Sequence, residues 1–388
     1  MSARLRVVMV IQAYAPLVGG AERQLGEVAP LLQAKGIDVQ ILTRRRDDLP
    51  DYEIIDGIPV HRLPARPPKP LAAAQFILSG MNKIRVLRPD VIHAFDMLSP
   101  TTIAVLSKMA FHIPAVTKVL LSGPNHGEMA YFNRTALGRQ RLKVIRSEID
   151  AFVTISAEID AELHTAGIPK KARVYIPNGV DTQRFKPLDC AGEKQKLRHE
   201  LGLPDGRLVL FVGRLEEQKR VDQLLAIWPT LYATHPDAHL LVIGSGSEEE
   251  PLKQLAGNGI HFLGVKEDVT AYLQAVDVFV LPSAAEGLSN ALLEALSSGL
   301  AAVATDVGGN SEVVLDGRTG LLVPPDDPEA LLAALVRLLE DPQACRQLGA
   351  RAREHILTNY SLATTVNCLA DLYFSLAQQY RHNGKGPL

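Results

Sequence analysis

Short, continuous apolar runs alternate with segments of helical period along almost the whole chain, and this pattern restricts the fold more than any other feature. Runs such as LRVVMVI (5–11), LVLFVG (208–213) and DVFVLP (277–282) lack the in-out alternation of a strand with one wet face. Strands of that kind are buried on both sides, as in parallel sheets covered by helices. The first half supplies seven such runs, the others being DVQIL, IPVHRL, PDVIHAF, IPAVTKVL, AFVTIS and RVYIP. The second half supplies six, with HLLVIG, IHFLG, LAAVAT and LLVPP beside the two already quoted. The expected class is α/β, built as two consecutive Rossmann-like halves.

A length of 388 residues exceeds one comfortable core, which also points to two domains. The polar segment 178–197 separates the two strand series, so a hinge is placed near residues 184–190. The expected division is 1–186, 187–360, a helix over 361–380 and a disordered tail over 381–388. That helix carries Leu362, Val366, Leu369, Tyr373 and Leu376 at three- and four-residue steps, a stripe that must be buried.

Three scattered cysteines, Cys190, Cys345 and Cys368, make neither a disulfide framework nor a zinc site, and suit a reducing, cytoplasmic setting. No run reaches the roughly 18 apolar residues of a membrane span, so any membrane contact is expected to be peripheral. The net charge of −2 hides an asymmetry of +8 over residues 1–188 and −10 over the rest. A basic half attracts anionic lipid headgroups or anionic substrates as readily as it merely solvates a surface. Nothing in the charge pattern calls for nucleic acid.

Several strand ends carry chemistry. After LVLFVG come Arg214 and Lys219, cations beside a helix start where a diphosphate is well held. After DVFVLPS comes EGLSNALLEA, residues 286–295. Gly287 permits a sharp turn, and the backbone N–H groups of Leu288, Ser289 and Asn290 would face an anion, with Glu286 before the helix and Glu294 inside it. HLLVIGSG offers Gly244 and Gly246, but position 249 is Glu249, so the dinucleotide fingerprint is incomplete and a dehydrogenase is disfavoured. APLVGGAE places Gly19 and Gly20 between the first strand and a helix.

Taken together, APLVGGAE, PNGVDTQRF, GRLEEQKR, HLLVIGSG, FLGVKEDV, EGLSNALLEA and TDVGGNSEVVLDGRTGLLVPP resemble, in order and spacing, the family-4 retaining glycosyltransferases of GT-B fold. The resemblance implies two Rossmann-like domains facing across a cleft, with the last helix crossing back to the first domain. It implies that Arg214 and Lys219 hold the donor diphosphate, Glu294 the ribose, and Glu286 with Gly287 and Leu288 the donor sugar. Gly264 and Val265 would grip the base by their main chain, and Gly19-Gly20 would approach the donor phosphate and acceptor. No Asp-x-Asp motif occurs, so no metal ligands and no cofactor are expected.

One departure bears on the acceptor. Many family members carry a histidine after the strand that corresponds to IPAVTKVL, where this chain has Lys118, Val119 and Leu120. His93 and His126 are the nearby histidines, and with Ser122 and Gly123 they form the candidate acceptor set. The segment 134–148, with Arg134, Arg139, Arg141, Lys143 and Arg146 among apolar residues, reads either as a helix packed in the first domain or as a face for an anionic membrane. The functional expectation is a metal-independent transfer of a sugar from a nucleotide sugar, UDP-linked before GDP-linked, to a polysaccharide, glycolipid or other glycoconjugate. A sugar-nucleotide epimerase and a silent nucleotide-sugar-binding subunit are the alternatives.

Overall fold

A computed structural model describes residues 4–384 except 17, 18, 47, 67, 124, 126, 189, 190 and 383. The chain divides into two compact units, Met1–Asn178 with Leu362–Leu388, and Gly179–Ser361.

In the first unit the described strands are β1 (Arg6–Val10), β2 (Asp38–Arg44), β3 (Tyr52–Ile55), β4 (Ile58–Leu63), β5 (Val91–Phe95), β6 (Ala115–Lys118), β7 (Ala151–Thr154) and β8 (Arg173–Tyr175). They form one sheet in the order β3-β4-β2-β1-β5-β6-β7-β8. All neighbours are parallel except β3 and β4, which pair antiparallel. The seven runs of the sequence each mark one of these strands, with β2 running two residues past its run to Arg44, and β3 is the addition. Its hairpin turn is Asp56-Gly57, with φ of 49° and 79°, the Asp-Gly signature of a type I′ turn. Tyr52 and Ile54 on this edge are exposed, which is why no apolar run announced it.

The final helix, Leu362–His382, buries Leu362, Val366, Leu369, Tyr373 and Leu376 in the same core as β1, β2 and the helix Gly20–Ala34. Each such side chain contributes about 2 kcal/mol by leaving water. The helix extends through 381–382, two residues assigned to the tail from sequence, while 383 and 385–388 lie outside the described residues.

In the second unit β9 (Arg207–Val212), β10 (Ala238–Ile243), β11 (Ile260–Gly264), β12 (Val278–Leu281), β13 (Ala301–Thr305) and β14 (Gly320–Val323) form an all-parallel sheet in the order β11-β10-β9-β12-β13-β14. The order reverses between β9 and β12, the place where doubly wound sheets open a crevice at their carboxyl ends. The segment 179–186 packs within this unit: Phe185 is fully buried, and its carbonyl accepts hydrogen bonds from Ser297 Oγ (2.7 Å) and Arg353 Nη1 (3.0 Å). The division by contacts therefore falls before this segment, where the sequence reading placed it after. Where the chain enters and leaves the unit, Val180 N donates to Tyr360 O (2.9 Å).

Candidate active site

The crevice of the second unit is built by loops that leave the carboxyl ends of β9, β10, β12 and β13. After β9, the turn Gly213-Arg214-Leu215 lies against Gly244-Ser245-Gly246 after β10, with Leu215 N donating to Ser245 O (2.9 Å). A Cβ at Gly244 would stand 1.8 Å from the Gly213 carbonyl oxygen, and one at Gly246 would stand 2.2 Å from that of Leu215. These glycines are thus explained by the close approach of two backbones, without a dinucleotide.

A short 3-10 turn, Glu217–Lys219, then carries the chain to the loop after β12. Ala284 N donates to Gln218 O (2.8 Å) and Gln218 Nε2 donates to Ala285 O (2.6 Å). This docking delivers Lys219 Nζ to Glu286 Oε1, with which it forms an ion pair. Ser283 Oγ donates to the same oxygen at 2.7 Å. Glu286 is 6% exposed, and a carboxylate that dry requires such partners. Arg214 is exposed, and its charge helps hold the Glu216 carboxyl below the usual range, although the hydrogen bonds from Ser247 do more.

The Glu286-Gly287 turn is also held from the side of β13. Gly309 N donates to Gly287 O (2.8 Å), and a Cβ at Gly308 would lie 2.0 Å from Glu286 O. Thr305 Oγ1 donates to Ser283 O (2.6 Å), and Asn310 Nδ2 donates to Thr305 O (3.0 Å). Ser283, Thr305, Gly308 and Asn310 therefore shape this turn, roles the sequence reading did not give them. The signal was present, because TDVGGN follows a strand as EGLSN does.

The helix after the turn runs Asn290–Ser297, with Ser289 as N-cap accepting from Leu292 N (3.4 Å). Leu288 and Ser289 are buried, Asn290 is half-buried, and Glu294 is 3% exposed in the second turn. Gly264 ends β11 at φ 68°, and its carbonyl accepts from Gly244 N (3.0 Å), while the adjacent Val265 side chain is exposed. The structure thus joins Lys219 directly to Glu286, and sets Arg214, Gly264, Val265 and Glu294 on loops and a helix of the same sheet end.

In the first unit Gly19 is the N-cap of the helix Gly20–Ala34 and accepts from Arg23 N (3.0 Å). Ser122 is buried, and Gly123, at φ 106°, donates its N–H to Glu162 Oε1 (2.7 Å). His126 lies outside the described residues. His93 requires a correction: it is fully buried, its Nδ1 is hydrogen-bonded to Tyr373 OH (2.5 Å), and burial pushes its pKa down to about 3. It is a neutral core histidine that ties β5 to the final helix, which removes it from the acceptor surface.

Of the three positions where a histidine was looked for, the first holds a buried lysine. Lys118 Nζ donates to Asn178 Oδ1 (2.7 Å), and burial lowers its pKa to about 7. Asp96, just after β5, accepts from Gln12 Nε2 (2.8 Å) and Leu98 N (2.7 Å) with its own φ at 89°. Burial raises the Asp96 carboxyl to about 7, and burial together with Asp96 raises that of Glu128. A non-glycine residue held at such a φ is strained, a feature that concentrates at functional sites. Among the described residues, no group of three or more His, Cys, Asp or Glu side chains is arranged to hold a metal ion.

Comparison with known proteins agrees with this architecture. Residues 206–341 match the family model "Glycosyl transferases group 1", and residues 18–184 match "Glycosyltransferase Family 4". Phosphatidyl-myo-inositol mannosyltransferase of Mycolicibacterium smegmatis is 30% identical, with 91% of this chain and 89% of the relative covered. Glycogen synthase of Mycobacterium tuberculosis is 27% identical (96% and 95% covered). A GDP-mannose-dependent monoacylated alpha-(1-6)-phosphatidylinositol monomannoside mannosyltransferase of Corynebacterium glutamicum is 28% identical (93% and 96% covered). Among solved structures, Anabaena HepE in complex with UDP-glucose superposes with a TM-score of 0.80 at 19% identity, over 96% of this chain and 100% of that one. The chain therefore belongs to the group 1, family 4 glycosyltransferases and is a glycosyltransferase of GT-B fold.

Proposed function

We propose that the protein transfers a hexose from a nucleoside diphosphate sugar to a hydroxyl of a polysaccharide, glycolipid or other glycoconjugate, with retention of anomeric configuration and without a metal ion. The observation that carries this reading is the Lys219–Glu286 ion pair, fixed by Ser283 at the carboxyl end of the second sheet. In this scheme Arg214 and Lys219 hold the diphosphate, Glu294 the ribose, and Gly264 and Val265 the base. Glu286, with Gly287 and Leu288, positions the donor sugar.

The chemistry follows from charge. The bond between the anomeric carbon and the diphosphate oxygen breaks, and the acceptor oxygen bonds to that carbon on the same face. The acceptor proton passes to the departing diphosphate. Negative charge grows on the leaving group, so fixed cations aimed at it lower the barrier without reorganising in the transition state. Glu286, already fixed by Lys219 and Ser283, aligns the sugar at no further ordering cost.

UDP sugars are placed ahead of GDP sugars as donors. HepE in complex with UDP-glucose supports a UDP donor, and the GDP-mannose-dependent relative makes GDP the comparison to run. No helix of the described residues is long and apolar enough to cross a membrane. A cytoplasmic enzyme that touches an anionic membrane peripherally fits the helix Ala136–Glu148, which exposes Leu137 and Val144 among Arg139 and Lys143. The test is a thermal-shift panel of UDP- and GDP-sugars with magnesium or EDTA, since a ligand of the native state raises its stability. A selective shift that survives EDTA is the expected result, and a shift that requires magnesium would refute the metal-free scheme.

A further inference from the structure

β2 ends in Arg44, and the chain continues with Arg45 and Arg46. With Gln12 and Tyr14, from the segment after β1, these arginines line a cavity of about 240 Å³ that also reaches Leu49. No lining residue is acidic. Arg44 is held in place: Nη2 donates to Ser99 Oγ (3.0 Å), and its guanidinium lies 5.2 Å from the centroid of the Phe76 ring. Arg45 pairs with Asp51 (2.8 Å), but that carboxylate is 68% exposed, so the pair is worth little in water and is readily exchanged for a ligand. Arg46 is exposed and makes no ion pair among the described residues.

Three consecutive guanidinium groups around one small cavity repel one another, and the carboxyls near them are the exposed Asp51, paired with Arg45, and the buried Asp96, which accepts from Gln12 and feels the charge of Arg44. The cavity opens where the ends of β1 and β2 meet, the end of a parallel sheet at which ligands bind. Arginine forks match the oxygens of phosphate in planar, paired hydrogen bonds. The space equals roughly eight water volumes, enough for a phosphate and part of the polyol attached to it. All the lining residues belong to the first unit, whereas Arg214 and Lys219 belong to the second.

We propose that this cavity is the subsite for a phosphate group carried by the acceptor, held by Arg44, Arg45 and Arg46. Assigning the phosphate to the acceptor rests on the transfer reaction proposed above, while the anion site itself does not. The enzyme is thus one whose acceptor is already phosphorylated, either as a soluble sugar or polyol phosphate or as a phospholipid.

The test uses the full chain and the double variant R45Q/R46Q, which alters only exposed side chains and leaves Arg44 with its partners. Binding of glycerol 3-phosphate is measured by calorimetry, and binding to phosphatidylcholine vesicles with or without phosphatidylglycerol by sedimentation. The wild type binds glycerol 3-phosphate, and the variant binds it at least about tenfold more weakly, the loss of one charge-assisted hydrogen bond or more. Arginine-dependent sedimentation with phosphatidylglycerol vesicles assigns the phosphate to a lipid, and binding of the soluble ester alone assigns it to a soluble acceptor. Equal binding by the two proteins, or no binding by either, overturns the proposal. The same samples are titrated with the nucleoside diphosphate, whose thermal shift the variant retains. Loss of that shift in the variant would move the arginines to the donor and overturn the acceptor assignment. A wild type without that shift but with arginine-dependent phosphate binding would fail the donor reading alone and leave this one standing.

Discussion

Lys219 and Glu286, 67 residues apart in sequence, form an ion pair in which the carboxylate oxygen also accepts a hydrogen bond from Ser283. The pair joins the loop after β9 to the loop after β12, so under the proposed function structure and chemistry depend on the same contact. Removing one partner strands the other in a dry site, which costs on the order of 3 kcal/mol for a buried pair. Lys219→Ala should lower stability by about 1–3 kcal/mol and kcat/KM by about a hundredfold or more. The double variant Lys219→Ala/Glu286→Ala should regain part of the stability but none of the transfer. A denaturation cycle beside donor turnover reads both, and a double variant with restored activity would contradict the assignment.

Glu286 and Glu294 differ in what their loss should do. Glu294→Gln keeps the shape of a buried helical side chain but removes its charge, so the nucleoside diphosphate should bind about tenfold more weakly. Glu286→Gln should leave that affinity within about twofold and lower kcat instead. Calorimetry with the free nucleotide and initial-rate kinetics separate them, and identical profiles for the two variants would remove the distinction.

Gly308 is at φ 57°, and an added Cβ would stand 2.0 Å from the Glu286 carbonyl oxygen. Gly317 has a similar φ of 66° with nothing within 4 Å of that Cβ. Gly317→Ala should cost only the left-handed strain of about 1–2 kcal/mol. Gly308→Ala should cost about 3 kcal/mol or more, because the Glu286 turn must also move, and transfer should fall with it. Urea unfolding of the two variants decides whether contact or backbone conformation matters, and equal losses would show that the contact does not.

Lys118 has its pKa lowered by burial from 10.5 to about 7. Between these values the unfolded chain binds a proton that the folded chain does not, so stability falls as pH drops from 10.5 towards 7 and is flat below. Lys118→Met should therefore stabilise the protein most at pH 7 and below, with a gain about 2 kcal/mol larger at pH 7 than at pH 9. Unfolding midpoints at the two pH values test this, and a gain independent of pH would show that the ammonium is not buried in the native state.

The six strands of the second unit and the helix start after Glu286-Gly287 were legible because buried parallel strands and helix starts are local patterns. β3 was missed because its exposed edge carries no apolar run, although Asp56-Gly57 marked the hairpin. His93 could not be sorted from sequence, since its partner Tyr373 lies 280 residues away. The division at 178/179 was hidden for the same reason, as Phe185 is anchored by residues 297 and 353. Arg44–Arg46 counted only towards the charge of the first half until the loop after β1 closed a cavity around them.

The first unit is assembled from the two ends of the chain, with Leu362–His382 completing the core around β1. During synthesis the second unit emerges as one uninterrupted stretch and can fold as soon as residue 361 is free, whereas the first must wait with an uncovered apolar face until its closing helix arrives. A nascent chain stopped just short of that helix would therefore pair a finished second unit with a sticky, half-built first one, which makes the stretch that encodes Leu362–His382 a checkpoint for solubility.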